Sequence, residues 1–130
     1  MKAILYVVGF VVLLFAGYIA YLAATYIDES VSAGSAYGFE IGLSKKQSFQ
    51  SIRKQVEKYP NLVIYYSYGN KAGDNETVRP VDNEYSKVEV QDRWTLLLDG
   101  EGEFFNVIKL SFDEDKLIRI YRHRKYFELP

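Results

Sequence analysis

Cysteine is absent, and histidine and tryptophan occur once each, as His123 and Trp94. No cysteine means no disulfide, no Cys-based zinc site, no thiol nucleophile and no lipidated cysteine anchor. It leaves the redox compartment open, because a cysteine-free domain folds in either. A lone histidine argues against a His-rich metal site and against a Ser-His triad. Phosphate-cradling glycine loops, H-E-x-x-H and G-x-S-x-G are also missing. Acidic residues are missing from the first 27 positions, where Lys2 is the one charged side chain.

That uncharged N-terminal run is the strongest feature present. Residues 3–27 carry no charge, and 25 residues at a helical rise of about 1.5 Å would reach roughly 37 Å, enough for a bilayer core of about 30 Å. Lys2 flanks one end, and Asp28 and Glu29 flank the other. The positive-inside rule then expects Met1 in the cytoplasm and the rest outside. The expected setting is a bacterial inner membrane crossed once, with the C-terminal domain periplasmic. Tyr6 and Tyr26 sit where interfacial rings are favoured. Ala16, Ala20 and Ala24 form a stripe of small residues that would let a second helix approach. The rival is a signal peptide cleaved near Val31-Ser32-Ala33, but signal cores of about 7–15 apolar residues are much shorter than this run.

The remaining chain is enough for one small domain. From Asp28 onward 17 acidic residues face 15 basic ones, a balance that argues against nucleic acid as a partner. Residues 28–36 (DESVSAGSA) read as a flexible tether, and 37–130 as an extracytoplasmic binding domain. Tyr37–Gly42 reads as a short strand or a ledge on the domain. Leu43–Tyr59 reads as a helix: Ser44 and Gln47 make a capping-box pattern, and Phe49, Ile52, Val56 and Tyr59 share one face. Lys45 and Lys46 lie in its first turn, where the helix dipole disfavours cations. Tyr59-Pro60 ends it. Leu62–Tyr68 reads as a strand and Gly69–Ser86 as an irregular loop containing the glycosylation triplet Asn75-Glu76-Thr77. Three strands then follow: Lys87–Leu98, Glu103–Phe112 and Leu117–Arg124, the last with Ile118 and Ile120 on one face. The expected fold is α+β: a transmembrane helix, then one or two helices packed on a three- to four-stranded antiparallel meander.

Gly42-Leu43-Ser44-Lys45 entering a helix, Trp94 before a hairpin, and Ser111-Phe112-Asp113-Glu114-Asp115-Lys116-Leu117 at the last turn resemble the SmpA/OmlA (BamE-like) domains. The β-lactamase-inhibitor-protein domains are similar in plan. The resemblance covers roughly residues 38–121. It implies an extracytoplasmic protein-binding module without catalysis. The chain differs from that family in having no lipidated cysteine and no glycine in the last turn.

Charge is unevenly laid out. Lys116, Arg119, Arg122, Arg124 and Lys125 crowd the last strand, while acidic residues dominate 74–103. Tyr121, Arg119, Arg122, His123, Arg124 and Tyr126, with Phe127 beyond them, are candidates to grip an acidic partner or lipid head groups. The alternative is that acidic and basic strands pair across the sheet. Asp99, Glu101 and Glu103, and the run Asp113-Glu114-Asp115, read as solvated turns. Glu89 and Asp92 read as charges on a wet strand face rather than an acid–base pair. No catalytic residue, metal ligand or cofactor is expected. The partner is expected to be another protein: a toxin or effector neutralised stoichiometrically by an immunity protein, or an envelope complex needing a subunit or assembly factor. The bilayer is contacted through residues 3–27.

Overall fold

The computed structural model describes residues 1–69 and 71–126; Phe127 and the end of the expected domain lie outside the described residues. It is α+β. Helix α1 (Lys2–Thr25) is followed by strands β1 (Ile27–Val31), β2 (Ser35–Ala36) and β3 (Phe39–Glu40), helix α2 (Lys45–Gln55), and strands β4 (Val63–Ser67) and β5 (Asn75–Val78). A 3₁₀ turn (Pro80–Asp82), the short helix α3 (Tyr85–Val88) and strands β6 (Arg93–Leu97), β7 (Asn106–Asp113) and β8 (Lys116–Arg124) complete the chain. Six strands form one antiparallel sheet in the order β1-β8-β7-β6-β4-β5, and β2 and β3 form a separate ribbon.

Helix α1 is long and apolar enough to cross a membrane. Every residue of it except Leu22 and Thr25 is exposed. An apolar helix with almost no protein against it is costly in water and stable in hydrocarbon.

Two expectations for the sheet are corrected. The meander is β6-β7-β8, but the sheet has six strands because segments read as tether and loop join its edges. Residues 27–31 of the supposed tether pair in register with β8, from Ile27 opposite Arg124 to Val31 opposite Ile120. Asn75–Val78, inside the supposed loop, pairs with β4. Edge strands tolerate charge and need no apolar alternation, so IDESV and NETV gave no periodic signal. The expected strand at Lys87 starts later, at Arg93, because Tyr85–Val88 is helical.

The main core lies between the sheet and α2. Trp94, Leu96, Ile108, Leu110 and Ile120 are buried there against Phe49, Ile52 and Phe39. The capping box forms as expected: the Gln47 amide donates to Ser44 Oγ at 3.1 Å, and the Ser44 amide donates to Gln47 Oε1 at 3.0 Å. The helix ends at Gln55, earlier than Tyr59. Lys45 is buried, and its Nζ donates to the Glu89 carbonyl and to Asp92 Oδ1, each at 2.8 Å. The lysine in the first turn is thus tied internally, and Asp92 serves as its counter-ion.

Ile118 and Ile120 do not share a face. Phe112 pairs with Leu117 and Ser111 with Arg119, so Ile118 is the extra residue of a bulge. The bulge turns Leu117, Ile120 and Arg122 toward the core and Arg119, Tyr121 and His123 to the other side. The β7–β8 turn has two central residues, Glu114 (φ 48°) and Asp115 (φ 66°), both left-handed. This mirror-type hairpin turn favours Asn-Gly. Asp115 has a second task, because its Oδ1 accepts the Lys45 amide at 3.3 Å. Gly42–Ser44 runs beside the start of β8, with Gly42 N–H to Leu117 O and Leu117 N–H to Leu43 O both at 2.8 Å. The two stretches Gly42–Lys45 and Ser111–Leu117 therefore meet in space. Glu114→Asn is expected to stabilise the domain by about 0.5–1 kcal/mol by relieving a left-handed glutamate. A raised denaturant midpoint with unchanged slope checks it.

Candidate functional site: the open face of the sheet

One face of the sheet is covered by α2 and the other carries no helix. Strand alternation decides what stands on the open face. Arg93 and Thr95 alternate with buried Trp94 and Leu96. Lys109 and Ser111 alternate with buried Ile108 and Leu110. Tyr65 lies between Ile64 and Tyr66 on β4. The register sets Tyr65, Thr95, Lys109 and Tyr121 in a row across four strands, and Arg93, Ser111 and Arg119 in the next. These side chains line an open trough of about 930 Å³, which Ser30 of β1 and Ser67 of β4 also border.

Its electrostatics are one-sided. Arg93, Lys109 and Arg119 are exposed, and none of them takes part in the ion pairs among the described residues. Asp92 also borders the trough, but its Oδ1 is held by Lys45. Lys109 Nζ lies 5.7 Å from the Tyr121 ring centroid, a cation–π contact that keeps the ammonium over the trough. Tyr121 stacks on His123 with centroids 6.2 Å apart. Among the described residues no three of His, Asp and Glu converge to hold a metal ion.

The end of the open face nearest α1 is closed. Val63, Leu97 and Val107 form a second apolar cluster with Tyr65. The β6–β7 loop brings Phe104 edge-on to Tyr65, with ring centroids 5.3 Å apart. The trough thus opens beyond an aromatic lip.

The candidates in the last strand separate. Arg119, Tyr121 and His123 stand on the open face. Arg122 stands on the covered face, buried, and its Nη1 donates to the Val107 and His123 carbonyls at 3.2 and 2.8 Å. Its guanidinium lies 5.8 Å from the Tyr37 ring centroid, and burial pushes its pKa below the usual arginine value. Arg124 Nε donates to the Thr25 carbonyl at 2.7 Å and so clasps the end of α1, while its guanidinium lies over the half-exposed Tyr126 ring. Ala16, Ala20 and Ala24 all lie exposed along α1. The acidic stretch 74–103 does not pair with the basic strand, since β8 lies between β1 and β7. Arg93, Thr95 and Tyr65 were not singled out from the sequence. Their alternation with buried neighbours was the available signal.

The chain matches no known family model, no curated protein and no solved structure. Function therefore rests on the site alone.

At the β1 edge, Asp28 sits opposite His123. Hydrogen bonds from Tyr121 first, and from Tyr26, hold its carboxyl below the usual carboxylate range. The same bond pushes the Tyr121 hydroxyl up to about 12. A phenol raised on folding stabilises fully below its unfolded value near 10 and loses that contribution as pH rises through about 12. Asp28, depressed on folding, contributes above its ordinary value and loses that as pH falls through its folded value. The β1–β8 edge is expected to loosen between about pH 10 and pH 12. Amide exchange of Ser30 and Val31 measures this, and Tyr121→Phe should abolish the alkaline step.

Proposed function

We propose that this chain is a membrane-anchored binding protein that spans the membrane once and captures a protein partner on the open face of its sheet. The partner is a toxin or effector outside the cytoplasm, neutralised by stoichiometric binding. The carrying observation is the trough: three exposed cations, unpaired among the described residues, stand on a rigid sheet beside Tyr65 and Tyr121. Arginine and tyrosine are the residues that most often anchor protein interfaces, and a preformed face avoids the ordering cost of binding. The trough offers no arrangement of acid, base and nucleophile, so binding rather than catalysis is the reading it supports.

The β1 pairing supports an uncleaved anchor. Cleavage after Ala33 would remove β1, with its five registered pairs, from the sheet edge. The orientation with the C-terminal domain periplasmic follows from Lys2 and the acidic flank at Asp28 and Glu29.

A second reading, a subunit or assembly factor of an envelope complex, is favoured by the exposed alanine stripe on α1, which leaves room for a partner helix. Affinity capture of the tagged full-length protein in mild detergent, with mass spectrometry, separates the two. A single small secreted protein in near-equal amount supports the inhibitor. A set of resident envelope proteins replaces it with the second reading. Recovery of nothing above background sinks both.

A further inference from the structure

The end of the sheet that meets α1 is aromatic. Only Tyr26 separates α1 from β1, so the domain has no flexible linker to the helix. Ile27, the first residue of β1, pairs with Arg124 of β8, and Arg124 pairs in turn with Asn106 of β7. One step beyond, the Lys125 amide donates to the Phe105 carbonyl at 2.8 Å. Phe105 is therefore level with Tyr26 along the strand axis. It lies two strands away, about 10 Å at a strand spacing of about 4.8 Å. Tyr26, Phe104, Phe105 and Tyr126 all converge at this end, each between 42% and 49% exposed. Four half-exposed rings at one end, beside a clasped helix terminus, are unusual for a surface facing bulk water.

We infer that this rim is a second membrane contact, in which Phe104, Phe105 and Tyr126 seat in the interfacial layer of the same bilayer that α1 crosses. The inference rests on the anchor reading above. Rings of this kind partition into the headgroup region, where an apolar body and any hydroxyl are both satisfied. Charge does not drive the contact. Asp99, Glu101 and Glu103 in the β6–β7 loop offset Arg124 and Lys125, so a net-neutral surface and high salt leave it in place. The contact fixes the domain upright on the membrane, since two separated points hold it: the end of α1 and the β6–β7 loop. The trough then opens sideways, and its row at Arg119 stands about 17 Å above Arg124 at roughly 3.3 Å per residue.

The test uses the full-length protein in zwitterionic phosphatidylcholine vesicles with brominated acyl chains, which quench tryptophan only near the lipid. Trp94 is buried in the core and gives the baseline. Added tryptophans are placed by Phe105→Trp at the rim, Leu14→Trp in α1 and Glu114→Trp at the opposite end of the sheet. Quenching of the Leu14 variant, together with quenching of the Phe105 variant at least about twofold above the Glu114 variant in low and high salt, is the expected result. Phe104→Trp gives the same comparison should the Phe105 variant fold poorly. Equal quenching at positions 105 and 114 with Leu14→Trp quenched overturns the rim and leaves the anchor standing. An unquenched Leu14→Trp overturns the anchor, and the rim with it.

Discussion

Replacing Trp94 by alanine is expected to unfold the extramembrane domain at room temperature. The indole is fully buried, packs on Phe112 with ring centroids 4.6 Å apart, and donates from Nε1 to the Val88 and Gln91 carbonyls at 2.9 and 3.1 Å. Truncation to alanine loses the burial and leaves a cavity, together costing about 3–5 kcal/mol. A domain of this size has only about 5–10 kcal/mol in all. Trp94→Phe keeps a ring in the core but removes the donor to both carbonyls, at about 1–2 kcal/mol. The pair separates packing from hydrogen bonding. Chemical denaturation in detergent, followed by far-UV circular dichroism, should show no folded baseline for alanine and a lowered midpoint for phenylalanine.

The second large effect is on capture. Arg93→Glu, Lys109→Glu and Arg119→Glu together are expected to weaken partner binding at least about a hundredfold. All three are exposed, and none is used by the ion pairs among the described residues, so their reversal should leave the denaturation midpoint within about 0.5 kcal/mol of the parent. Binding by the parent should also fall as salt rises, since exposed charges are screened beyond about 10 Å at 0.1 M. Titration of the captured partner against both proteins at two salt concentrations measures this. Loss of affinity with an intact fold places the interface on the open face.

What the sequence made legible follows from where periodicity is enforced. The α2 capping box was readable because Ser44 and Gln47 satisfy each other's neighbourhood locally. The central strands β6 and β7 were readable because one side is buried, so Trp94, Leu96, Ile108 and Leu110 alternate with Arg93, Thr95, Lys109 and Ser111. The edges were not. Asp28, Glu29 and Ser30 can form β1 because its outer side has no strand to satisfy, and no alternation marks it. The bulge at Ile118 was hidden for a different reason. A one-residue insertion shifts every later side chain to the other face, and two isoleucines spaced by two mimic regular alternation. That slip also blurred the basic strand. It placed Arg122 in the core and Arg124 on the end of α1, leaving Arg119, Tyr121 and His123 for the open face. The trough itself is a product of register: it appears only when Lys109 is known to stand between Thr95 and Tyr121, which no linear spacing states.

Fixed attachment gives the trough a direction as well as a composition. With β1 running on from α1 after a single residue, and Arg124 clasping Thr25, motion of the helix is passed to the sheet rather than absorbed by a tether. A partner approaching along the membrane surface would meet the open face already oriented, which lowers the ordering cost of capture.

Site-specific photo-crosslinking tests the central claim most directly. A photoreactive side chain is placed at Thr95, in the middle of the trough, and separately at Arg53, exposed on α2 at the opposite face. Both full-length variants are illuminated in cells that contain the partner. The account predicts a discrete adduct from position 95 and none from position 53. An adduct from position 53 with none from position 95 would contradict it, and would move the binding surface to the helix side.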